Sequence, residues 1–202
     1  MWKKTTLIGA GAVAALAILT GCSSSNEPEH PASHSMSPSA TAPGMTAAAE
    51  AHNDADVTFA QQMIPHHTQA IEMSDTLLAK QGIDPRVTEL ANQVKAAQGP
   101  EIQQMQGWLT QWGTAPTPPM SGHGDMSGMM SEQDMTALKD AAGVDAAKLF
   151  LTQMISHHEG AITMAQTEIK DGQYPAAVEL AHAIVTAQQR EIDTMNGILA
   201  SL

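Results

Sequence analysis

From about Asn53 onward, apolar residues recur three and four positions apart, and no stretch alternates apolar and polar residues as a half-buried strand would. This pattern predicts four long helices: about Asp54 to Lys80, Pro85 to Trp112, Asp145 to Lys170 and Pro175 to Leu199. Gly82 and Gly172 punctuate the turns, and Pro85 and Pro175 stand where a helix start tolerates proline. Pro65 lies inside the first helix and is expected to kink it, whereas Ser156 at the matching place is not. Thr114–Met130 reads as a Pro/Gly/Met loop. Ser131-Glu-Gln-Asp134 resembles a capping box that opens a short helix to about Ala142.

The long helices come in two copies. Phe59-Ala-Gln-Gln-Met63-Ile64-Pro65-His66-His67 matches Phe150-Leu-Thr-Gln-Met154-Ile155-Ser156-His157-His158 at an offset of 91. Ala70-Ile71 and Met73 match Ala161-Ile162 and Met164. After a one-residue indel in the turn, Gln98, Glu101-Ile102 and Met105 match Gln188, Glu191-Ile192 and Met195 at an offset of 90. Two αα-hairpins bury each other's apolar faces most simply as a four-helix bundle, so the expected fold class is all-α.

A helix advances about 100° per residue, and with Met63 at 0°, Phe59, His66, Ala70, Met73 and Leu77 all fall between about 280° and 340°. They share one stripe with Met63, and His67 stands on its other edge. The stripe recurs as Phe150, Met154, His157, Ala161 and Met164, edged by His158. On the second helix of each repeat, Glu101 and Glu191 fall in the middle of an apolar face, Glu191 between Ala187, Met195 and Ile198. A buried, unpaired carboxylate is costly, so each needs a partner from another element, and the imidazoles are the obvious candidates. Two readings follow. Either Glu, His and Met ligate a metal, or Glu and His form polar pairs inside a structural core.

Composition narrows the chemistry. The chain has 202 residues, 21 acidic against 9 basic, and a net charge of −12. That balance disfavours nucleic acid, which needs clustered Lys and Arg. There are 14 Met and 9 His but 1 Cys, which excludes a multi-cysteine zinc or iron–sulfur site. Thioether plus imidazole favours copper, above all Cu(I). The loop Met120-Ser-Gly-His123-Gly-Asp-Met126-Ser-Gly-Met129-Met130 offers a looser secondary copper site through His123, Met126, Met129 and Met130, or is a linker whose last methionines pack on the bundle. A di-iron oxidase would need Glu-x-x-His on two helices. Glu179-Leu-Ala-His182 is the sole match, it points away from the apolar face, and Asn92 replaces the His in the first repeat. No Gly-rich phosphate loop or Ser/Cys nucleophile motif is present, so an enzyme is not expected, with a metal-dependent oxidoreductase the one catalytic reading left open.

The N-terminus reads as an address. Lys3 and Lys4 precede a short apolar run, Leu7–Leu19, below the roughly 20 residues of a membrane-spanning helix. Leu19-Thr20-Gly21-Cys22 resembles a bacterial lipobox, which implies cleavage before Cys22, lipidation of its thiol and a tether to the outer face of the cell membrane. Residues 1–21 are then the signal peptide and 22–52 a Ser/Pro/Ala-rich disordered tether whose His30, His34, Met36 and Met45 are either incidental or weak metal scavengers; the duplicated domain occupies 53–202.

The doubled Met-Ile-x-His-His, followed by Ala-Ile-x-Met and Gln-x-x-Glu-Ile-x-x-Met, resembles the bacterial "domain of unknown function 305" family over about Asp54 to Leu202. The resemblance implies a secreted or periplasmic ferritin-like four-helix bundle, associated in some members with copper binding and resistance. It points to Met63, His66, His67, Met73, Met154, His157, His158 and Met164, with Glu101 and Glu191 in the Gln-x-x-Glu motif. The expectation is therefore a lipid-anchored copper buffer or chaperone whose partners are a metal ion and the membrane. Its alternative is a partner-binding or structural bundle with His–Glu core pairs.

Overall fold

The computed structural model describes residues 51–115 and 127–202. The signal segment, Cys22, the tether up to residue 50, and His123 and Met126 lie outside the described residues. The described residues form five helices: α1 (Asp54–Leu78), α2 (Pro85–Gln111), α3 (Glu132–Asp140), α4 (Gly143–Asp171) and α5 (Pro175–Leu199). The four long ones fall where the periodicity puts them. α4 starts two residues before Asp145, and α1 stops two short of Lys80.

Local chemistry explains the ends. Asn53 caps α1 by accepting from the amides of Ala55 and Asp56, and the Asp56 carboxylate takes the Asn53 amide in return. Ser131 and Asp134 form the same reciprocal box at α3. Pro85 and Pro175 each occupy the first turn of a helix, where an amide has no intrahelical acceptor to lose. α1 continues unbroken through Pro65, and α2 through Pro100.

α1 packs on α2 and α4 on α5, as the two hairpins; α1 and α4 join the hairpins, and α2 and α5 touch more sparsely. α1 and α4 run antiparallel. Asn53 Nδ2 donates to the carbonyl of Asp171 (2.8 Å), and at the other end Lys80 Nζ donates to the carbonyls of Lys139 and Ala141, both at 2.7 Å. The apolar core is divided into two clusters. One holds Phe59, Met63, Met105, Trp108, Ala161, Tyr174 and Ile184; the other holds Ala70, Met73, Leu77, Leu90, Phe150, Met154 and Met195. α3 lies over the second cluster and adds Leu138, with Met130 just before it. Between the clusters, at mid-length of α1 and α4, lie the histidine doublets.

Candidate metal centre

His66, His67, His157 and His158 are all completely buried. They share one layer because the crossing of α1 and α4 brings equivalent positions together: the His66 and His157 rings have centroids 3.7 Å apart. Each doublet then divides its roles by helical direction. The first histidine faces the other repeat, and the second turns toward its own hairpin partner. His67 Nε2 lies 2.6 Å from Glu101 Oε2, and His158 Nε2 lies 2.5 Å from Glu191 Oε2. The partners expected for the two glutamates are thus found, and in both repeats it is the second histidine. The glutamates themselves stand at the rim, about one-fifth exposed, and are not fully buried as their place on the apolar face suggested. Ala187, expected beside Glu191, is exposed.

An ionised carboxylate only accepts, so His67 and His158 must carry their protons on Nε2. In the neutral tautomer Nδ1 then carries the lone pair, and among the described residues neither Nδ1 finds a partner. His66 follows the same logic, because its Nε2 donates to the carbonyl of Ser127 at 3.2 Å and its Nδ1 has no partner. Among the described residues His157 meets no partner at hydrogen-bond geometry on either nitrogen, although the backbone of His66 lies near its ring. Leaving buried polar atoms unpaired costs about 1–3 kcal/mol each. Burial holds His66 down to about 3, with His67 adding to the effect and the Ser127 carbonyl opposing it. Burial, then the neighbouring histidines, holds His157 well below the ordinary histidine range, with the His66 backbone opposing weakly. Both rings are neutral at neutral pH, the form that ligates metals.

The thioethers are sorted by the same geometry. Met63 precedes the His66–His67 doublet by one turn and is fully buried in the cluster that holds Met105; Met154 and Met195 repeat this on the other side. Met73 and Met164 are not brought to the layer. They lie two turns beyond it, about 10 Å along the axis from His66 and His157. Met73 is buried under α3, and Met164 lines a surface pocket. Met130 is a core residue: its amide and carbonyl are clamped by the Gln69 side chain, at 2.7 and 2.9 Å. Met129 is half-buried just before it. Glu179 and His182 are exposed, as the helical wheel required for rejecting a di-iron motif.

Sequence reasoning passed over four residues. Met105 and Met195 were visible as repeat matches and are completely buried beside Met63 and Met154. Gln98 and Gln188 precede the glutamates by one turn and are buried; both amide atoms of Gln98 and the Gln188 oxygen lack partners. A strap completes the layer. Ser127–Gly128 crosses α4 at Gly160 so closely that a Cβ on Gly160 would lie 2.0 Å from the Ser127 carbonyl oxygen. Two facing glycines make that approach, and it delivers the Ser127 carbonyl to His66.

Among the described residues no three His, Cys, Asp or Glu converge as a metal-binding group. A metal held here would need the thioethers, and a mixed imidazole–thioether set suits a soft ion. The donors present fit such an ion: buried imidazoles whose Nδ1 atoms lack partners among the described residues, and buried methionines one turn away.

The family described as "Domain of unknown function (DUF305)" matches residues 56–199. Comparison with curated proteins finds no significant match. Among solved structures, a DUF305 fragment from Deinococcus radiodurans is 34% identical with a TM-score of 0.69, the match covering 74% of this chain and 98% of that one. A DUF305 protein of Streptomyces coelicolor, designated secreted, is 32% identical with a TM-score of 0.67, covering 73% and 93%. CopM in its Cu(II)-bound form is 31% identical with a TM-score of 0.63, covering 72% and 96%; CopM is also known in Cu(I)-bound and Ag-bound forms. The doubled Met-Ile-x-His-His helices, the all-helical architecture and these matches agree, and the chain belongs to the DUF305 family.

Proposed function

We propose that this chain is an extracytoplasmic, lipid-anchored protein that binds copper, as a buffer or chaperone, without catalysis of its own. One observation carries the reading. His67 and His158 each set Nε2 against a carboxylate and leave Nδ1 without a partner among the described residues, inside a methionine-flanked layer. A metal-ligating histidine is normally oriented in this way, with its second nitrogen bound to a carboxylate that fixes the tautomer and raises basicity. On this reading Glu101 and Glu191 position the imidazoles, while His67, His158, Met63 and Met154 present the donor atoms. His66 and His157 supply further imidazoles between the two half-sites. The solved copper- and silver-bound forms of CopM support the choice of ion. The lipobox-like Leu19-Thr20-Gly21-Cys22 supports the anchor.

Anaerobic titration of the full chain with Cu(I) against a competing chelator tests the reading. Glu101→Gln is expected to weaken binding about 10- to 100-fold, the ordinary effect of removing a carboxylate that orients a ligating histidine. The second reading, a structural polar core, is favoured by the Glu–His bonds being complete without a metal. It predicts no Cu(I) binding above that of a variant lacking the doublets, unchanged thermal stability on adding copper, and destabilisation of the metal-free chain by Glu101→Ala.

A further inference from the structure

The two ends of the α1–α4 groove ought to be alike, because the repeat places equivalent residues at both. They are not. At one end Met73, Leu77 and Phe150 are completely buried beneath α3. Gln153 helps fasten α3 there by donating to the carbonyl of Asp134 at 2.9 Å. At the other end the equivalents of Met73, Leu77, Phe150 and Gln153 are Met164, Glu168, Phe59 and Gln62. Here these four line a pocket of about 310 Å³ together with Asp54.

The open end has the chemistry of an entrance for a soft cation. Met164 is half-buried and lines the pocket, whereas Met73 is completely buried. Asp54 is exposed at the pocket mouth in a chain of net charge −12, and its carboxylate attracts a cation to the opening. Phe59 lines the pocket and also belongs to the apolar cluster of Met63 and Met105. Met63 follows Phe59 by one turn of α1, and His66–His67 follow Met63 by one more. Thioethers thus stand at successive levels from the surface to the buried layer.

We propose that this pocket is the port through which a soft monovalent cation reaches the histidine layer, with Met164 as its first donor; this rests on the copper-binding reading above. A port residue is on the path and absent from the destination. Its loss must therefore slow association and release by the same factor and leave affinity unchanged. The loss of a ligand lowers affinity, mainly through faster release.

The test mixes Ag(I) alone with the full chain in a stopped-flow instrument and follows tryptophan fluorescence, since Trp108 shares the cluster of Met63 and Met105. Affinity is measured separately by competition. Met164→Leu is expected to slow binding and release together by about tenfold, the effect of raising the shared barrier by about 1.4 kcal/mol. Gln62→Phe, at the exposed rim, should slow both in the same way. Met135→Leu, on α3 over the closed end, should change neither. Unchanged rates in Met164→Leu, or lower affinity at an unchanged association rate, overturn the port and leave copper binding standing. Absence of Ag(I) binding by the unaltered chain overturns both.

Discussion

Glu168 is buried at the edge of the Met164 pocket, and among the described residues both its oxygens lack an N–H or O–H donor. It lies against Asp56, whose carboxylate is already satisfied by the amides of Asn53, Gln173 and Tyr174. Two facing carboxylates cannot both be charged at low cost, so one holds a proton and donates it to the other. Burial pushes Glu168 up to about 8, and the bond and charge of Asp56 act in the same direction. Asp56 is held below its ordinary value despite burial, by Glu168 and by backbone donors. The sign for Glu168 follows. Below its ordinary value of 4.5 both folded and unfolded chains are protonated, and its contribution to stability is fully present. As pH rises the unfolded chain releases the proton first, and the contribution is lost by the time pH passes about 8. Glu168→Gln keeps a donor for Asp56 and carries no charge. Thermal unfolding from pH 5 to 9 should therefore show the unaltered chain falling relative to the variant, by on the order of a few kcal/mol. Parallel curves would show that Glu168 is ionised throughout. Repeat comparison held a signal for this pair, since the twins of Asp56 and Glu168 are Ala147 and Leu77 in the apolar core.

At the scale of elements, α3 and the residues leading into it decide which end of the bundle is closed. The connection is polar as well as apolar. Gln69 on α1 accepts from the Met130 amide and donates to the Met130 carbonyl, all within buried surroundings. Gln69→Ala would strand both backbone groups, at about 1–3 kcal/mol for each buried group left unpaired. The expected outcome is lower overall stability, with faster amide exchange in α3 than in α2 or α5. Uniform exchange across the helices would mean that Leu138 and Met130 hold α3 without the clamp. The helices, their duplication and the His–Glu pairing were legible in the sequence, because each rests on spacing within one helix or a match between repeats. The Gln69 clamp was not legible: its partner is 61 positions away and is a backbone group, which carries no sequence signature. The strap at Gly160 was hidden for the same reason. Glycine there corresponds to Gln69 in the first repeat, and only the crossing chain shows why a side chain is excluded.

Across the whole molecule, the polar layer interrupts what would otherwise be one continuous apolar core, and the interruption destabilises the metal-free fold. His157 shows this most clearly: it is completely buried, and among the described residues neither nitrogen meets a partner at hydrogen-bond geometry. His66 is its twin but not its equal, because Ser127 accepts from it. Replacing an unpaired polar group by an apolar one of similar size removes a desolvation penalty, whereas removing one partner of a bond strands the other. His157→Leu should therefore raise the stability of the metal-free chain by about 1–2 kcal/mol, and His66→Leu should not. Chemical denaturation without metal measures both. The same two variants, titrated with Cu(I), separate the readings of the layer. If the layer is only structural, neither change alters metal affinity and nothing opposes the more stable sequence. If it binds copper, His157→Leu gains stability and loses affinity, the exchange expected where a site is maintained against the preference of the fold. Destabilisation by His157→Leu would instead show that the ring is held by an interaction other than metal ligation, and would count against the layer as a metal site.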